Sequence, residues 1–176
     1  LAKENMWEGS FHYTHSYGEN NGWNVDYTYS SETEDELNKY STLSMNGDTK
    51  DNELVWDANY LHIGKVYWQH HLSEKLKLSA GYELEYLRAE QNYHVQDWDG
   101  TAFIPNQDKS NDFTHNRMLH SLYATLEMKS GSWNLLAGLR AELADLQNHL
   151  FSLDSISTQR YSNIHPGNST TIMNCN

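Results

Sequence analysis

Apolar residues recur at every second position along segments too long for an ordinary soluble strand. The clearest runs from Leu76 to Glu90, where Leu76, Leu78, Ala80, Tyr82, Leu84 and Tyr86 alternate with Lys77, Ser79, Gly81, Glu83 and Glu85. A helix would scatter the apolar set around its circumference, whereas a strand puts all of it on one face. Trp133, Leu135, Ala137, Leu139, Ala141 and Leu143 repeat the pattern against Asn134, Gly138, Arg140 and Glu142, with Leu136 the exception. Met118, Leu122, Ala124, Leu126 and Met128 alternate with Arg117, Ser121, Tyr123, Thr125 and Glu127, and His120 interrupts the apolar face. Leu54–Leu72, Trp23–Tyr29 and Phe11–Tyr17 follow the rule less strictly. A soluble strand is usually about 5 or 6 residues, and one that crosses a bilayer needs about 9 to 11. Most of these segments reach the longer figure.

The joins alternate in length. Gly18–Gly22, Ser73–Lys75 and Lys129–Ser132 are short, whereas Ser31–Glu53, Gln91–Phe113 and Gln147–Arg160 are long and polar. A membrane barrel has this asymmetry, with short turns on the periplasmic side and longer loops outside. The long joins also hold much of the acid: Ser31–Glu53 carries seven acids and two bases, and Gln91–Phe113 four acids and one base. The expected fold is therefore all-β, an antiparallel up-and-down meander of about six long strands, a segment of a larger transmembrane β-barrel. A membrane barrel needs about 8 strands to close, and open edges in lipid leave backbone groups unpaired at several kcal/mol each. Residues 1–176 are accordingly expected to be one partial barrel domain whose sheet continues in other sequence. Neither a plug domain nor a signal peptide is recognised in them.

Composition narrows the function. The net charge of -12 leaves no basic stripe for nucleic acid. No run of about 18 apolar residues forms a transmembrane helix, and a barrel escapes that test because only alternate residues face lipid. The chain has 12 Tyr and 6 Trp against 4 Phe, which suits a boundary with one apolar and one wet side. Trp23, Trp68 and Trp133 stand beside the short joins and are the candidates for an interfacial aromatic girdle. Tyr93 and Trp98, in a long join, are candidates for stacking on a ligand at the outer side. Glu83, Glu85, Arg117, Arg140 and Glu142 fall on the parity opposite the apolar one and are expected to face the barrel lumen, Arg140 and Glu142 pairing across strands. The run Ser31–Glu36 reads as a solvated loop.

Ten histidines raise the question of a metal. His70 and His71 are adjacent, so a strand turns them to opposite faces, and His12 and His15 differ in parity. His62 and His70 share a face but lie roughly 26 Å apart along a strand. The single thiol, Cys175, has no partner for a disulfide. No metal site, cofactor or catalytic constellation is expected, and the chain does not read as an enzyme.

The wording of two hairpins resembles a known family. Phe113–Glu127 contains Tyr123-Ala124, and a short Gly-containing turn leads to Gly138-Leu139-Arg140-Ala141-Glu142. Upstream, Tyr67-Trp68-Gln69-His70-His71-Leu72 is followed by Lys75-Leu76-Lys77-Leu78-Ser79-Ala80-Gly81-Tyr82. Downstream, Tyr161-Ser162-Asn163-Ile164-His165-Pro166 is similar to the opening of a further strand. Together these resemble the barrel of TonB-dependent receptors, in the outer-membrane-protein β-barrel family. Arg117 stands where that family usually has Glu, and His165 where it has Phe. The resemblance implies a barrel of about 22 strands filled by an N-terminal plug. It also implies a Gram-negative outer-membrane location, uptake of a ligand from outside, and energy coupling through the plug. The partners so implied are outer-membrane lipid, the rest of the barrel, the plug and the energy-coupling complex. The alternative reading is a secreted soluble β-sandwich that binds carbohydrate through Trp and Tyr. A second sheet would then cover the apolar faces.

Overall fold

A computed structural model describes residues 2–42 and 49–172, with side chains through residue 167. Cys175 lies outside the described residues. Seven strands follow one another in a single antiparallel meander: β1 (Ala2–Ser16), β2 (Gly22–Thr42), β3 (Thr49–Ser73), β4 (Leu76–Trp98), β5 (Phe103–Ser130), β6 (Trp133–Leu150) and β7 (Ser155–Ile172). Each strand pairs with its neighbours in sequence, and β1 and β7 form the two open edges. The only helical element among the described residues is a 3₁₀ turn, Phe151–Leu153.

The register fixes the faces. Residues directly opposite in an antiparallel pair project to the same side. Tyr13, Val25, Val66, Tyr82, Leu122, Ala141 and Ile164 form one unbroken row across all seven strands. One residue away on every strand, His12, Asp26, Lys65, Glu83, Ser121, Glu142 and Asn163 form the neighbouring row, on the other face. Within this band the sheet therefore has an apolar side and a polar side across all seven strands.

No second layer covers the apolar side among the described residues. Phe11, Leu122, Leu139 and Ile164 are 58%, 61%, 53% and 70% exposed. Full burial is confined to small residues wedged between strands, such as Ala58, Ser79, Ser121 and Ala144, and to Val95. This excludes the sandwich reading, in which a facing sheet would bury that side. An apolar face of this size in a single-layer sheet requires lipid.

The band also has the right height. On β4 it runs from Leu76 to Tyr86, roughly 34 Å along the strand. At a tilt of about 45° that spans about 24 Å of bilayer, close to the ~25 Å apolar belt of outer-membrane barrels.

Two expectations change. The sheet has seven strands rather than about six, β7 being the additional one. The long polar joins are mostly strand: β4 runs on to Trp98 and β5 begins at Phe103, leaving a four-residue connection at 99–102, and 151–154 likewise joins β6 to β7. Residues 31–42 and 49–53 belong to β2 and β3, and the rest of that join falls on undescribed residues. Beyond the lipid band a strand needs no apolar face, so polar residues can pair on both sides and the alternation disappears. The asymmetry is real, but it lies in how far the strands overhang the band at one end. The strands turn promptly at the other end, at 17–21, 74–75 and 131–132. There Gly18 and Gly131 supply the left-handed backbone, with φ of 64° and 58°.

Candidate functional site: the two faces of the barrel wall

The polar face carries a network of charges braced across strands. Lys65 Nζ lies 3.1 Å from Glu83 Oε2, a directly opposed pair on β3 and β4. Arg117 on β5 donates to Glu85 on β4. Arg140 Nε donates to Glu142 Oε1 at 2.7 Å, and its Nη2 donates to Ser121 Oγ at 3.1 Å. Ser121 is fully buried under this guanidinium. At the β1 edge His12 bonds to Asp26, its cross-strand partner. All five polar residues singled out in the sequence thus share one face and are paired. One detail differs: Arg140 and Glu142 sit two apart on β6 and pair along the strand, reaching across it through Ser121 on β5 and through His165 on β7, whose Nε2 lies 3.7 Å from Glu142 Oε2.

Above this network the polar face turns acidic. Glu4, Glu34 and Asp57 lie directly opposite one another on β1, β2 and β3. Glu32, Glu34, Asp57 and Asn59 line a shallow depression there with Gln91 and Phe113. Like charges placed directly opposite destabilise a sheet, and Asp57 Oδ1 is buried without a hydrogen-bond partner. Further out, the Glu53 carboxylate hydrogen-bonds and repels the Tyr93 phenol, pushing its pKa up to about 12. The negative charge of Glu53 also raises Tyr40.

Tyr93 and Trp98 do not form one stacking platform. They differ in parity on β4, so they project to opposite faces. Trp98 packs instead on Phe103 across the hairpin tip, with ring centroids 5.0 Å apart.

Aromatic rings gather at both margins of the apolar band. At the short-turn end Trp23 and Trp68 are cross-strand partners. Trp68 Nε1 donates to Tyr17 Oη at 2.7 Å. Trp68 also stacks on His70, whose ring in turn stacks on Tyr17. Tyr13 and His15 pack on Trp23. Trp133 opens β6 on the same face, 56% exposed. At the other margin Tyr27, Tyr29 and Tyr86 surround His62, and Tyr27 Oη bonds to His62 Nδ1 at 2.7 Å. These histidine partnerships were not legible in the sequence, because they depend on which strand lies beside which. Among the described residues no group of three His, Cys, Asp or Glu side chains converges on a metal position.

The sequence matches the outer membrane protein beta-barrel family over residues 15–171. The chain belongs to that family. Among individually curated proteins none matches the sequence. Solved outer-membrane receptors share the fold of this family member at low identity. The unliganded ferric citrate transporter FecA superposes with a TM-score of 0.66 at 11% identity, covering 97% of this chain and 25% of its own. The ferric-catecholate import receptor Fiu from K12 E. coli gives 0.52 at 9%, covering 96% and 30%. The ferric yersiniabactin uptake receptor FyuA from Yersinia pestis gives 0.51 at 9%, covering 96% and 25%. The chain therefore spans about a quarter to a third of these relatives' length. It is a barrel segment of an outer membrane protein, located in the outer membrane of a Gram-negative bacterium.

Proposed function

We propose that this barrel segment forms part of the wall of a TonB-dependent receptor that takes up a ligand through the outer membrane. The observation that supports it most is the lipid-height apolar band on a single-layer sheet, combined with strands that overhang the band at one end only. The overhanging end, with the acidic residues of β1–β3, is the extracellular mouth. The short turns are periplasmic. The face carrying Glu83, Glu85, Arg117, Arg140 and Glu142 lines the lumen, where paired charges are tolerated in water or against a plug. Trp23, Trp68 and Trp133 are the periplasmic aromatic girdle. The rest of the barrel, the plug and the energy-coupling complex are the partners this role requires. Transport is a property of that whole assembly.

The test uses the full-length protein in intact cells. Cysteine placed at Gly100 should react with a membrane-impermeant maleimide, and cysteine at Gly131 should react only after the outer membrane is permeabilised. Equal labelling at both sites, or recovery of the protein in the soluble fraction, would overturn the reading. Uptake itself is checked by its loss when the proton-motive force is dissipated.

A further inference from the structure

We infer that the cleft between the outer part of the β4–β5 hairpin and the 3₁₀ turn after β6 is a binding site for a neutral saccharide. The inference rests on the orientation just proposed, which puts this cleft outside the cell.

The cleft is a product of irregular pairing. Tyr93 pairs with Asn111 and Val95 with Asn106, so β5 carries residues 107–110 where β4 has only His94. The extra chain is braced. Ser110 Oγ accepts from Val95 N at 3.0 Å and donates to the Asn106 carbonyl at 2.6 Å. Asn106 Oδ1 accepts from Lys109 N at 3.1 Å, and Lys109 Nζ donates to Asp97 Oδ1 at 2.8 Å. The opposite wall is tied on by Ser152 N, which donates to Asn111 Oδ1 at 3.3 Å. The result is a preformed concavity of about 620 Å³, within the ~300–1,000 Å³ typical of small-ligand sites.

The lining defines the ligand chemistry. His94, Gln96, Gln107, Asp108, Asp112 and Phe151 line the cleft, and none of its lining residues is Lys or Arg. The nearby Lys109 is committed to Asp97. An anionic ligand would therefore find no counter-charge. Carboxylates and side-chain amides offer paired, planar hydrogen-bonding groups that match adjacent hydroxyls. Asp112 is already oriented by His94 Nε2 at 3.0 Å. Gln107 and Asp108 take no part in bracing the bulge. Phe151 is 51% exposed, and His149 supports its ring at a centroid distance of 3.9 Å. An exposed, supported aromatic face beside planar polar groups suits the C–H face of a pyranose ring.

The experiment titrates the detergent-purified full-length protein with maltohexaose, cellohexaose, xylohexaose and mannohexaose, read by calorimetry and saturation-transfer NMR. At least one should bind. Phe151→Ala and Asp112→Asn should each weaken it by about tenfold or more, roughly 1.4 kcal/mol. Glu127→Gln, on the polar face near the short turns, should leave it unchanged. Protease resistance of each variant confirms that it is folded. No binding by any of the four oligosaccharides at millimolar concentration overturns the inference, as does binding that survives both substitutions. The maleimide pattern at positions 100 and 131 reports the orientation separately, so the two readings can fail independently.

Discussion

Gly81 on β4 and Tyr123 on β5 are directly opposed, and the Tyr123 ring occupies the space a side chain at 81 would need. A β-carbon added at 81 would collide with the phenol. The glycine thus lets an aromatic ring lie flat on the polar face beside Arg140, the next residue in the same row. Gly81→Ala should displace the ring and destabilise the barrel by about 1–3 kcal/mol, the usual cost of overpacking. In the Tyr123→Ala background the same change should cost much less. A denaturant-unfolding double-mutant cycle measures that coupling, and additive effects would show that the ring does not depend on the glycine.

The lipid-facing assignment is tested by charge. Leu122 sits mid-band on the apolar face and is 61% exposed. If water covered it, Leu122→Arg would be nearly neutral. In a bilayer it should cost about 2–4 kcal/mol. Thr28→Arg, on the polar face, should cost well under half of that. The comparison is made by unfolding the protein from lipid vesicles, and equal costs would contradict the two-faced wall.

The opposed carboxylates Glu4, Glu34 and Asp57 repel one another in the absence of a bound cation. Glu34→Gln removes the middle charge while keeping the shape. It should stabilise the sheet by about 0.2–1 kcal/mol, and raised ionic strength should shrink the gain. A loss of stability on this substitution would show that Glu34 makes an attractive contact in the complete barrel.

What could be read from the sequence follows the bilayer. Within the band each strand must be apolar on one side, so Leu76–Tyr86 and Trp133–Leu143 declared their faces and, through parity, placed Glu83, Glu85, Arg117, Arg140 and Glu142 together. Outside the band that requirement ends. The outer stretch of β2 carries Glu32, Glu34, Asp35 and Glu36 on both faces, with only Leu37 apolar among 31–37, and reads as a loop. β7 shows itself only through the family resemblance at Tyr161–Pro166 and not by period, for a related reason: it brings Arg160, Ser162, Ile164 and Pro166 to the apolar face, too mixed a set to alternate. Pro166 also lacks a backbone donor, which an edge strand tolerates. The saccharide cleft left no sequence signal, since its walls come from a register shift and a distant turn.

The bulge that shapes this cleft should open at both extremes of pH. Hydrogen bonds from Lys109 and Asn106 hold the Asp97 carboxyl below its usual 3.8. The bond to Asp97 holds the Lys109 ammonium above its usual 10.5. For the depressed acid, the stabilisation is present above the unfolded value and is lost as pH falls through the lower folded value. For the raised base, it is present below the unfolded value and is lost as pH rises through the higher folded value. The brace is therefore intact across the neutral range and fails only as pH falls below the usual carboxylate range or rises above the usual lysine range. Both groups are solvent-exposed, so the effect is local to the hairpin tip. Trp98 beside Phe103 reports it: in a variant with Trp98 as sole tryptophan, acrylamide quenching should be flat through neutrality and rise at each extreme. Asp97→Asn should raise the quenching at neutral pH and flatten the profile, whereas an unchanged profile would remove the ion pair from the account of how the tip is held.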